Sequence, residues 1–97
     1  MSENQKRKSA EYENCTVRMP GYCRNNTETT VYAHLNMLRF GKGMGKKSRY
    51  GAYACYDCHA VLDGAKTHLK RVEIEHAHMA GVLETLDRLA EKGIVSL

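Results

Sequence analysis

Two pairs of cysteines limit most tightly what this 97-residue chain can fold into. Cys55 and Cys58 form a Cys-x-x-Cys spacing, which lets two sulfurs reach one ion from a single turn. Cys15 and Cys23 are further apart, but Pro20-Gly21 between them marks a tight turn that can bring them together as a knuckle. Four thiolates are a common tetrahedral ligand set for structural zinc. A chain of this length builds only a modest core, so a metal staple is a sensible expectation. Ordinary buried thiols would not need the Cys-x-x-Cys spacing. A redox role for that pair would want a thioredoxin-like βαβ context, which the sequence does not offer.

Nothing in the sequence reads as membrane-spanning, since no apolar run approaches the ~18 residues needed. The first ten residues are polar and basic, unlike a secretory leader, which gives the expectation of a cytoplasmic protein. In a reducing compartment clustered cysteines bind metal more often than they form bridges. The sequons at Asn14 and Asn25 then read as chance matches. Net charge is +4 and the isoelectric point near 8.9, favouring an acidic partner. The excess is concentrated between Arg39 and Arg49, where Arg39, Lys42, Lys46, Lys47 and Arg49 occur without a carboxylate among Gly41, Gly43 and Gly45. Cations with glycines suit a loop that approaches phosphates closely.

The pattern predicts a flexible polar segment over 1–12 and one domain over 13–97. Within that domain the knuckle is followed by a strand over 27–35, the basic loop, a second strand over 50–54 and a short helix over 55–63. A long helix follows over 69–93. On it Val72, His76, Met79, Leu83, Leu86 and Ala90 recur at spacings of four and three, an apolar stripe expected to pack on the metal-bound unit or on a partner. Gly93 suits the helix stop. The fold class expected is α+β: a small zinc-stabilised hairpin and helix packed on a long C-terminal helix.

Three residues could carry chemistry. His59 and Asp63 sit one helical turn apart and can reach the same hard metal ion. His34, at the end of the first strand, could take a proton from water near neutral pH. The plainer readings are a histidine hydrogen-bonded to a neighbouring thiolate, a surface carboxylate and a half-buried strand residue. His76 falls on the stripe and reads as a core histidine. His68 and His78 read as surface residues, His68 close enough in sequence to approach Asp63.

The order CTVRMPGYC, ETTVYAHL, a Gly/Lys-rich loop and ACYDCHAVLD resembles the YbcO-like family of phage and prophage proteins described as nucleases. That family is a compact relative of the HNH, or ββα-metal, endonucleases, and the likeness runs from about Cys15 to His68. It implies zinc at Cys15, Cys23, Cys55 and Cys58 beside a ββα-metal finger. His34 would be the water-activating histidine, and His59 and Asp63 the ligands of a catalytic divalent ion such as Mg2+. Two positions depart from the HNH pattern. Ala33 stands where a metal-binding Asp or His precedes the general base, and Tyr50 stands near the place of the HNH asparagine.

The leading expectation is a metal-dependent endonuclease acting on DNA, with RNA left open. The alternative is a non-catalytic zinc module that binds nucleic acid. A third is an interaction module, dimeric through the long helix.

Overall fold

A computed structural model describes residues 3–35 and 50–96. The basic stretch from Arg39 to Arg49 lies outside the described residues. Helix α1 (Glu3–Ser9) leads through the knuckle and a 3-10 turn (Thr27–Thr29) to strand β1 (Val31–His34). Strand β2 (Gly51–Ala54), helix α2 (Tyr56–Leu62) and helix α3 (Arg71–Glu91) follow. The architecture is α+β, a two-stranded antiparallel sheet with a long C-terminal helix. Among the described residues, no helix is long and apolar enough to cross a membrane.

The sheet is short because its threonines are used elsewhere. Thr29 donates its hydroxyl to the Asn26 carbonyl (2.7 Å) and accepts the Tyr56 amide (2.9 Å). Thr30 donates to the Glu13 carbonyl at 2.8 Å. Such side-chain bonds compete with the ladder, so the expected strand over 27–35 shortens to its last part. The register pairs Tyr32 with Tyr53, Ala33 with Ala52 and His34 with Gly51. Directly paired residues share a face. Tyr32, His34, Gly51 and Tyr53 therefore project to one side, and Ala33, Ala52 and Ala54 to the other.

Each side has its own apolar cluster. Ala33, Ala52 and Ala54 join Cys15, Val17, Met19, Cys58, Val61, Ala77 and Val82. Tyr32 and Tyr53 join Ala10 and Leu89, with Ile94 and Val95 packed against them. The segment 1–12, expected to be a flexible polar lead-in, thus contributes a helix that leads into the buried Ala10. Ser9 Oγ lies 2.9 Å from the Tyr53 hydroxyl, and Lys92 donates to the Ser9 carbonyl at 2.7 Å. Its polar sequence hid this, because one alanine, one hydroxyl and one backbone carbonyl make these contacts.

Among the described residues, the outer edge of β2 carries no third strand. The Thr16 amide donates to the Tyr53 carbonyl at 2.8 Å, and the Tyr53 amide donates to the hydroxyls of Thr16 and Thr85, both at 3.1 Å. The knuckle and α3 thus satisfy an edge that would otherwise be open.

The long helix is where the sequence reading fails in detail. Its buried residues are Ala77, His78, Gly81, Val82, Thr85 and Leu89. At 100° per residue this set lies roughly 140° around the helix from the centre of the apolar stripe. The stripe is not the face turned to the core. His76, expected in the core, is exposed, and His78, expected at the surface, is buried. The cause is steric: the helix crosses the sheet where a Cβ on Gly81 would lie 3.1 Å from the Ala52 Cβ, the Thr16 carbonyl and the Val17 Cα. Small residues permit that approach. The helix ends as expected at Gly93, whose φ is +76°. The Ile94 amide donates to Leu89 (2.9 Å) and the Gly93 amide to Ala90 (3.0 Å), with Ile94 packing near Leu89.

Candidate metal centre and its surroundings

All four cysteines are free thiols, and their sulfurs lie within 4.8 Å of one another. Cys15 and Cys58 are 3.6 Å apart, Cys23 and Cys55 3.9 Å. A zinc–sulfur bond of about 2.3 Å requires tetrahedral edges of about 3.8 Å. The cluster therefore fits a single tetrahedral ion and could hold a metal such as zinc.

Local structure gathers these ligands from two places. Cys55 precedes α2 as its N-cap, and Cys58 lies in the first turn, where the helix end favours negative sulfur. The first pair depends on a bent loop. Arg18, Gly21 and Asn25 all have positive φ, at +47°, +79° and +50°. Asn25 accepts the Cys15 amide with its side-chain oxygen at 2.7 Å, closing the loop behind the first ligand. The Cys23 amide donates to the Met19 carbonyl, and the Met19 amide points at the Cys58 sulfur at 3.3 Å.

The thiols are electrostatically unequal without a cation. Contact with the Cys58 sulfur holds Cys15 down at about 4, and the same contact, with burial, pushes Cys58 up. Burial pushes Cys23 up to about 11. A negative charge is thus favoured on Cys15 and disfavoured on Cys58 and Cys23. A divalent ion would relieve that restraint by giving each sulfur a partner.

The other candidate residues are less closely gathered. His59 Nε2 and Asp63 Oδ2 stand 3.5 Å apart on α2, with both side chains substantially exposed. His34 ends β1 on the tyrosine side, where the Tyr32 ring meets its imidazole edge-on at 5.3 Å. Gly51 makes room for this, since a Cβ there would collide with the Tyr32 ring. Helix α2, by contrast, packs through Cys58 and Val61 into the alanine-side cluster. Among the described residues, the four cysteines are the one set of three or more metal-ligand groups. His34 does not join His59 and Asp63 in another.

Sequence reasoning missed His78. Its Nε2 lies 3.1 Å from the Ala33 carbonyl, immediately before His34, and burial pushes its pKa down. Only a protonated Nε2 can donate to that carbonyl, which fixes the tautomer. Near the cysteine cluster, Tyr22 stacks on His68, and its hydroxyl is 3.1 Å from His68 Nδ1. His68 is therefore tied to the knuckle.

The family described as "Putative nuclease YbcO" matches residues 4–94. The chain is 38% identical over 63 residues to the Escherichia coli K12 protein "Putative nuclease YbcO" and, equally, to the protein of that name from Enterobacteria phage 82. Each alignment covers 64% of this chain and 65% of the relative, just under two thirds of its length. A solved structure, of "a putative bacteriophage protein from Escherichia coli str. K-12 substr. MG1655", superposes with a TM-score of 0.72 at 27% identity. That likeness covers 92% of this chain and all of the other.

Proposed function

The chain belongs to the YbcO family, and from that footing we propose that it is a metal-dependent endonuclease hydrolysing DNA phosphodiester bonds on an HNH-like hairpin and helix. The observation carrying the reading is the pairing of His59 with Asp63 on a helix packed beside the strand that His34 ends. A nitrogen and an oxygen donor 3.5 Å apart at an accessible surface suit a divalent ion that keeps open positions for water and phosphate. His59 and Asp63 would hold Mg2+ or another divalent metal, which when bound supplies charge stabilisation at the phosphoryl oxygens. His34 would take the proton from the attacking water, its ring held by Tyr32. Arg39, Lys42, Lys46, Lys47 and Arg49 would bind the phosphate backbone. In this reading the four cysteines hold structural zinc and take no part in the reaction.

Two observations favour a second reading, a zinc module that binds nucleic acid without cutting it. Ala33 supplies no ligand, and His34 shares no metal-ligand set with His59 and Asp63. Plasmid nicking with magnesium, manganese or nickel separates the two. The parent is expected to nick, and His34→Ala to slow nicking by about 10²-fold or more while the melting transition stays in place. His59→Ala should weaken metal dependence. A parent that binds DNA or RNA at low salt yet never cleaves establishes the second reading, and one that neither binds nor cleaves removes both.

A further inference from the structure

Helix α3 sends one polar ring into the core beside the strand that His34 ends. His78 is 3% exposed, and its Nε2 donates to the Ala33 carbonyl at 3.1 Å. Burying an imidazole costs hydration that a leucine of similar size would not lose, so what matters is where its hydrogen bond lands. That carbonyl belongs to the planar peptide unit that also contains the His34 nitrogen and Cα. Holding the oxygen therefore orients the backbone from which the His34 ring projects. The strand needs such support. It ends at His34 in a sheet of two strands among the described residues, and a two-stranded sheet by itself is marginal in water.

The helix is fixed at the depth this bond requires. Gly81, one turn along from His78 on the same face, lies where a Cβ would come within 3.1 Å of the Ala52 Cβ, and Ala52 is the register partner of Ala33. From the other side of the sheet the Tyr32 ring meets the His34 imidazole. His78 also faces α2: with Val61 and Leu62 it lines a cavity of about 340 Å³, and the charge of His59 is felt at its ring. We infer that His78 is a positioning residue, whose Nε2–H fixes the Ala33–His34 peptide and so sets the His34 imidazole relative to α2 and its His59–Asp63 pair. The inference rests on the nuclease reading for its chemistry. His78 exchanges no proton with substrate and acts through His34, where a displacement of about 1 Å can cost about 10²-fold in rate.

Two substitutions separate this role from packing. His78→Leu keeps the bulk and removes the donor, and His78→Gln keeps a donor; both lack the imidazole, so its own ring-current effect cancels between them. In NMR spectra of the full chain at neutral pH, the His34 ring resonances should lie closer to the parent's in His78→Gln than in His78→Leu, with those of His68 unmoved and metal content unchanged. His34 signals alike in the two variants overturn the inference, whether or not the chain cuts DNA. In the plasmid assay His78→Leu should lower kcat by about tenfold to 10²-fold with KM within about twofold, and His78→Gln should recover most of the loss. A parent whose cleavage needs His34 but is indifferent to His78→Leu also overturns it. A parent that does not nick removes the nuclease reading by itself, and the spectra then decide the positioning alone.

Discussion

At the residue scale, four sulfurs and one imidazole decide most. Apparent binding energies of structural zinc are about 10–16 kcal/mol, as large as the whole stability of a typical domain at about 5–15 kcal/mol. Chelation, or Cys58→Ser, should therefore unfold the protein rather than loosen it, seen as loss of near-UV circular dichroism together with stoichiometric metal. A folded chain that retains its melting transition after complete chelation would contradict that expectation. His78 gives a different signature. Burial lowers its folded pKa, so as pH falls through about 6.5 the unfolded chain takes up a proton that the folded chain refuses. Its contribution is present above that pH and declines below it, at up to about 1.4 kcal/mol per pH unit. His78→Gln keeps a donor for the Ala33 carbonyl but does not titrate, so its urea midpoint should be flatter than the parent's between about pH 6.5 and 5. His78→Leu removes the donor and should cost about 1–3 kcal/mol at neutral pH. The cysteine cluster was legible in the sequence because Cys-x-x-Cys is local. His78 was not, because its acceptor is a backbone carbonyl 45 residues away.

At the element scale, hydropathy located helix α3 but reversed its faces. The core side carries Ala77, His78, Gly81 and Thr85, which serve close approach and the Tyr53 amide, and only Val82 and Leu89 as larger apolar residues, so it reads as the more polar side. The solvent side holds valine, methionine and leucine, so it reads as the core. A pattern of side-chain types cannot reveal that a helix packs through its backbone, and Gly81 marks where it does. Glycine in a helix interior ordinarily costs about 1 kcal/mol against alanine. Here Gly81→Ala should nevertheless destabilise, by about 1–3 kcal/mol, because two of the three atoms facing the new methyl are backbone atoms that cannot move aside alone. Thermal melts of the variant against the parent decide the sign, and a more stable variant would show that α3 and β2 can separate freely. Strand β1 was legible only at its end for a related reason: threonines suit a strand by propensity, yet Thr29 and Thr30 hydrogen-bond the chain elsewhere.

At the scale of the whole molecule, the sheet has two covered sides that do different work. The alanine side is closed by the cysteine cluster, α2 and the middle of α3. The tyrosine side is closed by the end of α1 and the chain after Leu89, and it holds the ring against which His34 packs. Removing residues 1–10 should therefore affect the second side and spare the first. Ala10 is fully buried, and the Ser9 contacts to Tyr53 and Lys92 would be lost with it. The expected loss is about 1–3 kcal/mol, and at about 4–8 °C per kcal/mol for a chain of this size the melting temperature should fall visibly. Metal content should stay at its parent value, because Cys15, Cys23, Cys55 and Cys58 and their supporting bonds lie beyond the deletion. Faster amide exchange should appear in the segment after Leu89 before it appears in α2. An unchanged melting temperature would mean that α1 only rests on Tyr53. Loss of metal along with stability would mean that the sheet transmits damage from one side to the other.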